Sequence, residues 1–132
     1  MVFVLDCNIW ITLTINSQTK FIANLSDKGS LIASCHELRN EIHSVLQRPK
    51  LTNFITLDMA EKVISLHDLV TANYKIGKIK PIVADLKDNY LFALAEKSKS
   101  DFIVTGDKLL LAVGQYKNVK IISLSEFKKL LA

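Results

Sequence analysis

Five carboxylates stand at positions from which they could build a site of oxygen donors. Asp6 closes the apolar run Val2-Phe3-Val4-Leu5, and Asp107 follows Phe102-Ile103-Val104-Thr105-Gly106. Glu41 lies among Leu38, Ile42, Val45 and Leu46, and Asp85 and Asp88 come just before the apolar stretch Leu91 to Ala95. Two carboxylates about 4 Å apart repel by roughly 4 kcal/mol at an effective dielectric near 20. Several such pairs approach the whole stability of a small domain. A cluster of this kind persists only if some acids keep a proton or a cation sits among them. An all-oxygen donor set favours a hard ion, Mg²⁺ or Mn²⁺. Such an ion activates water and stabilises charge on a phosphoryl oxygen.

Each acid also has a plainer reading. An Asp that follows a strand often caps the next helix. Asp85 and Asp88 at the start of a helix are favoured by its macrodipole. A charge on the flank of an amphipathic helix is commonly just solvated. For each acid alone both readings stay open, and it is the four together that are harder to dismiss. In an open α/β sheet, ligands bind beyond the carboxyl ends of the strands, where Asp6 and Asp107 both stand.

The elements that must carry these acids are legible. Val2–Leu5, Leu31–Ala33, Phe102–Val104 and Val119–Ile122 are short apolar runs rich in β-branched residues and without strict alternation. That pattern suits strands covered on both faces. Between them run helical segments. Ser34 with Glu37, Asp58 with Glu61 and Ser123 with Glu126 have the spacing of a capping box. Gly29 is suited to close the helix bearing Phe21, Ile22 and Leu25, and Pro49 to end the one that begins near Cys35. On the latter helix Glu41 falls beside Val45, at the margin of the apolar stripe. Residues 73–80 are polar and read as a loop. Strands alternating with helices predict an α/β domain with a mainly parallel sheet.

The chain has 132 residues, which predicts one domain spanning 1–132. Its composition, 49% hydrophobic and 23% charged, is that of a soluble globular protein. A net charge of +4 permits an anionic partner such as RNA without demonstrating one. Cys7 and Cys35 have no metal-ligand spacing, and a disulfide framework is not expected. The first apolar run has no basic leader and is interrupted by Asp6 and Asn8. A soluble, cytoplasmic protein that does not enter membranes is therefore expected. His36, His43 and His67 share no ligand spacing. Trp10, Phe92 and Phe102 read as core, and Cys35 as a small buried filler.

With these residues placed, the chain resembles the PIN-domain ribonucleases, particularly the VapC-like toxins of toxin–antitoxin pairs. VLDCNIW resembles that family's opening strand and its Asp-Thr-Asn/Ser motif. ELRNEIHSVLQRPKL resembles the helix bearing the second acid, and DLKDNYLFALAEKSKSDFIVTGDKLLL the block bearing the third and fourth. The resemblance implies a three-layer α/β/α domain with a central, mainly parallel sheet. It matches Asp6, Glu41, Asp88 and Asp107 to the four catalytic, metal-holding acids. Asp85 matches an additional acid that shares or replaces the third role. Asn8 and Thr105 match polar positions that orient the acids or the water. The implied activity is Mg²⁺- or Mn²⁺-dependent hydrolysis of RNA, leaving 5′-phosphate and 3′-hydroxyl ends. A cognate antitoxin and a homodimer are implied as partners. Arg48, Lys50, Lys87 and Lys108 flank the acids and are placed to contact phosphates. Two positions depart from the pattern: Cys7 replaces a small hydroxyl residue and Leu109 an acid.

Other readings fit less well. A PIN-like domain with displaced acids would act as an RNA- or protein-binding module. A haloacid-dehalogenase-like phosphatase wants a second Asp at position 8, where Asn stands. A phosphotransfer receiver wants adjacent acids after the first strand, and only Asp6 is present there.

Overall fold

The computed structural model describes residues 1–131. Strand β1 (Val2–Leu5) leads to helices α1 (Cys7–Ile15) and α2 (Lys20–Asp27). Then come β2 (Leu31–Ser34), α3 (His36–Leu46), α4 (Leu57–Val70) and β3 (Thr71–Asn73). The second half runs α5 (Tyr90–Ser98), β4 (Phe102–Val104), α6 (Lys108–Val113), β5 (Gln115–Tyr116), β6 (Val119–Ile122) and α7 (Leu124–Leu131). The six strands order as β3-β2-β1-β4-β6-β5. All pairs are parallel except β5 with β6. The mainly parallel α/β architecture expected of the sequence is present.

The four strands read from apolar runs all form, because each is buried on both faces. Phe3, Val4, Leu5, Ile32, Ala33, Ile103 and Val104 are essentially inaccessible. Two edge strands escaped the sequence reading. Both β3 and β5 are short and only partly buried, so neither carries an apolar run. Residues from Tyr74 onward form the expected loop, while Asn73 is the last residue of β3.

Of the three capping boxes only one forms. Ser123 and Glu126 satisfy each other across the start of α7, the Glu126 N–H donating to Ser123 Oγ at 3.2 Å. Ser34 instead turns inward to His67, so Cys35 takes the N-cap of α3 without a side-chain bond. Helix α4 is capped by Thr56, whose Oγ1 accepts from Met59 N, and Asp58 sits in its first turn. Gly29, at φ +82°, follows the end of α2 as expected, and Pro49 opens a 3-10 turn beyond α3.

Register fixes where the site is built. Leu5 pairs with Val104 across β1 and β4, so Asp6 and Thr105, one residue on, leave the same edge of the sheet side by side. No helix among the described residues is long and apolar enough to cross a membrane.

Candidate active site

Asp6 is the most enclosed of the acids, at 3% exposure. It does cap α1, its Oδ1 accepting from Cys7 N at 2.7 Å. The other oxygen is turned to the adjoining strand. Thr105 Oγ1 donates to Asp6 Oδ2 at 2.7 Å, and Asn8 Nδ2 donates to it at 3.3 Å. Thr105 Oγ1 in turn accepts from Asp107 N at 3.0 Å, and Asn8 Oδ1 accepts from Gly106 N at 3.1 Å. Thr105 and Asn8 therefore tie the end of β1 to the β4–α6 turn through side chains. Asp107 caps α6, its Oδ1 accepting from Leu109 N at 2.8 Å.

Asp85 and Asp88 belong to a 3-10 turn, Leu86–Asp88, and not to α5 itself. Asp85 caps that turn, accepting from Lys87 N at 3.3 Å. Asn89 follows and is nearly inaccessible. Its Oδ1 accepts from Ile82 N and Val83 N, and its Nδ2 donates to Val83 O. Asn89 thus closes the loop that delivers Asp88. Sequence reasoning missed it, although an Asn wedged between an acid and a buried helix has the chemistry of a loop clamp.

The acids share one cleft of about 670 Å³, lined by Asp6, Glu41, Asp85, Asp88 and Asp107 among others. Asn8 also lines it, while Thr105 lies buried behind Asp6. Arg48, Lys50 and Lys87 stand on the same walls, and Lys108 does not. Burial pushes the Asp6 carboxyl up to about 6 against the pull of Thr105 and Cys7 N, with Glu41 and Asp107 adding like charge. Asp88 is pushed up to about 7, first by burial and then by the neighbouring carboxyls of Asp107, Asp6 and Asp85. The acids are therefore close enough to disturb one another.

They do not yet converge as ligands. No group of three or more His, Cys, Asp or Glu side chains among the described residues is arranged to hold a metal ion. The donor set fits a hard divalent cation by atom type and by its excess of like charge. It does not present finished coordination. Cys7, the departure from the family motif, leaves the bonding of Asp6 intact, since Asp6 uses the backbone N–H there. The Cys7 thiol is held protonated by burial and by the charges of Glu41 and Asp6.

The family described as PIN domain matches residues 2–109. Among solved structures, the chain is similar to one in the crystal structure of VapBC2 from Rickettsia felis bound to a DNA fragment from their promoter. That match has 13% identity and a TM-score of 0.64, and covers 93% of this chain and 98% of the other. At that identity the likeness speaks for the shared fold. No curated protein sequence matches the chain.

Proposed function

The chain belongs to the PIN-domain family, and from that premise we propose that it is a Mg²⁺- or Mn²⁺-dependent ribonuclease, the toxin of a type II toxin–antitoxin pair. The observation that carries the reading is the meeting of Asp6, Glu41, Asp88 and Asp107 in one cleft, from four separate segments of the chain. Asp6, Asp88 and Asp107 would hold the ion, with Asp85 beside them and Glu41 at the margin. Bound there, such an ion neutralises charge at a phosphoryl oxygen and makes water a better nucleophile.

The protein's own groups supply the rest. Thr105 and Asn8 hold Asp6 Oδ2 toward the β4–α6 turn. Glu41, half-buried in the same cleft, is the acid left to accept a proton from the attacking water. Arg48, Lys50 and Lys87 line the same cleft and offer positive charge to the phosphates of an RNA strand. Cleavage leaves 5′-phosphate and 3′-hydroxyl ends. A cognate antitoxin, a homodimer and a cytoplasmic setting complete the proposal. The neighbour from Rickettsia felis, described as VapBC2 bound to a DNA fragment from their promoter, supports the antitoxin.

The absence of a finished three-ligand arrangement among the described residues favours one second reading, a PIN-like module that binds RNA or protein without cutting. Incubation of single-stranded RNA with the purified protein separates the two. Cleavage in Mn²⁺ that stops on chelation and is absent in Asp107→Ala supports the nuclease. Intact RNA in every lane supports the binding module.

A further inference from the structure

Three aliphatic side chains line the same cleft as the acids: Ile11 on α1, Val45 on α3 and Leu51 in the 3-10 turn Pro49–Leu51. Ile11 belongs to the core, and Val45 and Leu51 pack against it. Helices α1 and α3 pack together. Two backbone bonds tie Val45 to Leu51 through Arg48. Arg48 N donates to Val45 O at 3.1 Å, and Leu51 N donates to Arg48 O at 3.0 Å. From beyond the turn, Ile55 N donates to Leu51 O at 2.7 Å. The aliphatic groups therefore form one connected shelf on held backbone.

A divalent cation and a phosphate have no use for such a shelf. The polar groups of the cleft divide in the same way. Asp6 spends both oxygens and Asn8 both ends of its amide on bonds within the protein. The Thr12 hydroxyl lines the cleft and is in no bond among the described residues. Thr14, by contrast, turns its Oγ1 to Trp10 O at 2.8 Å. Arg48 and Lys50 also line the cleft, and neither is in an ion pair among the described residues. Asn8 and Thr12 are four residues apart on α1, about 6 Å along its axis, which is within the reach of one nucleotide. An aliphatic surface, an uncommitted hydroxyl and basic neighbours match the face, the edge and the phosphate of a nucleotide.

We propose that Ile11, Val45 and Leu51 seat one unpaired nucleobase beside the scissile phosphate, with its edge at the Thr12 hydroxyl and its adjoining phosphate at Arg48 and Lys50. These residues set specificity, while the acids do the chemistry. The inference rests on the nuclease reading above.

The test is binding, measured under chelation so that no RNA is cut. Single-stranded oligoribonucleotides carrying an abasic site at each position in turn are titrated into the wild type and into Leu51→Ala, with fluorescence anisotropy as the readout. At one position the missing base should weaken binding to the wild type about tenfold, near the lower end for a stacked base. In Leu51→Ala that penalty should vanish. Val45→Thr, which keeps the shape but adds a hydroxyl, serves the same purpose if Leu51→Ala melts too low to assay. Thr12→Val should keep the penalty and lose the wild-type preference among the four bases at that position. A wild type without such a preference, or a variant that keeps it in full, removes Thr12 from the subsite. Equal binding of every abasic oligonucleotide overturns the proposal and leaves the shelf to an apolar side chain of a protein partner. A penalty that survives in both shelf variants overturns it too, since the base then lies elsewhere. If the wild type cuts no RNA with Mn²⁺, the nuclease reading fails, and the abasic series still decides whether the shelf holds a base.

Discussion

Two polar corners of the molecule treat the same residue type in opposite ways. In one, Ser34 Oγ and His67 Nε2 are 2.6 Å apart, His67 Nδ1 meets Asp68 Oδ1 at 2.9 Å, and Arg39 grips both oxygens of Asp68 at 2.8 and 2.9 Å. The guanidinium and the imidazole hold the Asp68 carboxyl well below the usual carboxylate range. In the other corner burial first, and neighbouring carboxylates after it, push the Asp6 and Asp88 carboxyls up to about 6 and about 7. Trp10 stands between the corners. Its ring packs edge-on against His67, and its Nε1 donates to Leu5 O, one residue before Asp6. The Asp68 corner contains its own cation. The Asp6 corner has basic groups only among exposed residues of the cleft wall. The first corner balances its own charge, while the second keeps an excess of like charge that the proposed cation would relieve.

The largest expected effect is on chemistry. Asp6→Asn keeps the size of the side chain and removes its charge, so RNA cleavage should drop by at least about 100-fold while circular dichroism stays native. Wild-type rates in this variant under limiting Mn²⁺ would take Asp6 out of the site.

Next comes stability in the absence of metal. An Asp with a folded-state pKa near 6, raised from 3.8, opposes folding only when ionised. The cost is absent below about pH 4, grows between about 4 and 6, and is complete above, where it is on the order of 2–3 kcal/mol. Chelated Asp6→Asn should therefore melt several degrees above the wild type at pH 8, and the gap should close by pH 4. His67, which burial keeps neutral, loses stability in the opposite direction as pH falls. It is common to both proteins and cancels from the difference. A gap that is constant with pH would show that Asp6 is not strained by its charge.

Thr105→Val removes the donor to Asp6 and the acceptor for Asp107 N while preserving shape. Cleavage should fall about tenfold, with both acids still present. Rates unchanged from wild type would make the Thr105 bridge structural only.

The smallest effect belongs to the charge-balanced corner. Asp68→Ala frees Arg39 and strips His67 of its partner, which should cost roughly 1 kcal/mol in urea melts. The activity of the folded fraction should not change. Loss of activity beyond the loss of fold would mean that the corners are coupled through Trp10.

The contrast between the corners also marks what the sequence could reveal. Asp6, Glu41 and Asp107 were readable because strand ends and helix stripes are set by local periodicity, and each reading needed only its neighbours. The core strands were readable for the same reason. The Ser34–His67 contact was not, since it joins residues 33 apart. Ser34 with Glu37 has capping-box spacing, yet a buried imidazole is the better partner for that hydroxyl. Thr56 likewise displaced Asp58 as the cap of α4 because the helix begins one residue before Asp58. Asn89 was hidden by its company. In a stretch that reads as acid followed by apolar helix, an amide clamp becomes visible only once the loop at 82–83 is in place.

The central claim is that the cleft acids gather around a divalent cation, and melting of the metal-free protein during a Mg²⁺ titration at pH 8 tests it most directly. Only the folded chain brings the ligands together, so the melting temperature should climb with Mg²⁺ concentration, by the equivalent of about 2.7 kcal/mol at 100 times the dissociation constant. An Asp6→Asn, Asp107→Asn double variant should not respond. A wild-type melting temperature that stays flat into the millimolar range, or a double variant that responds as strongly as the wild type, would contradict the account.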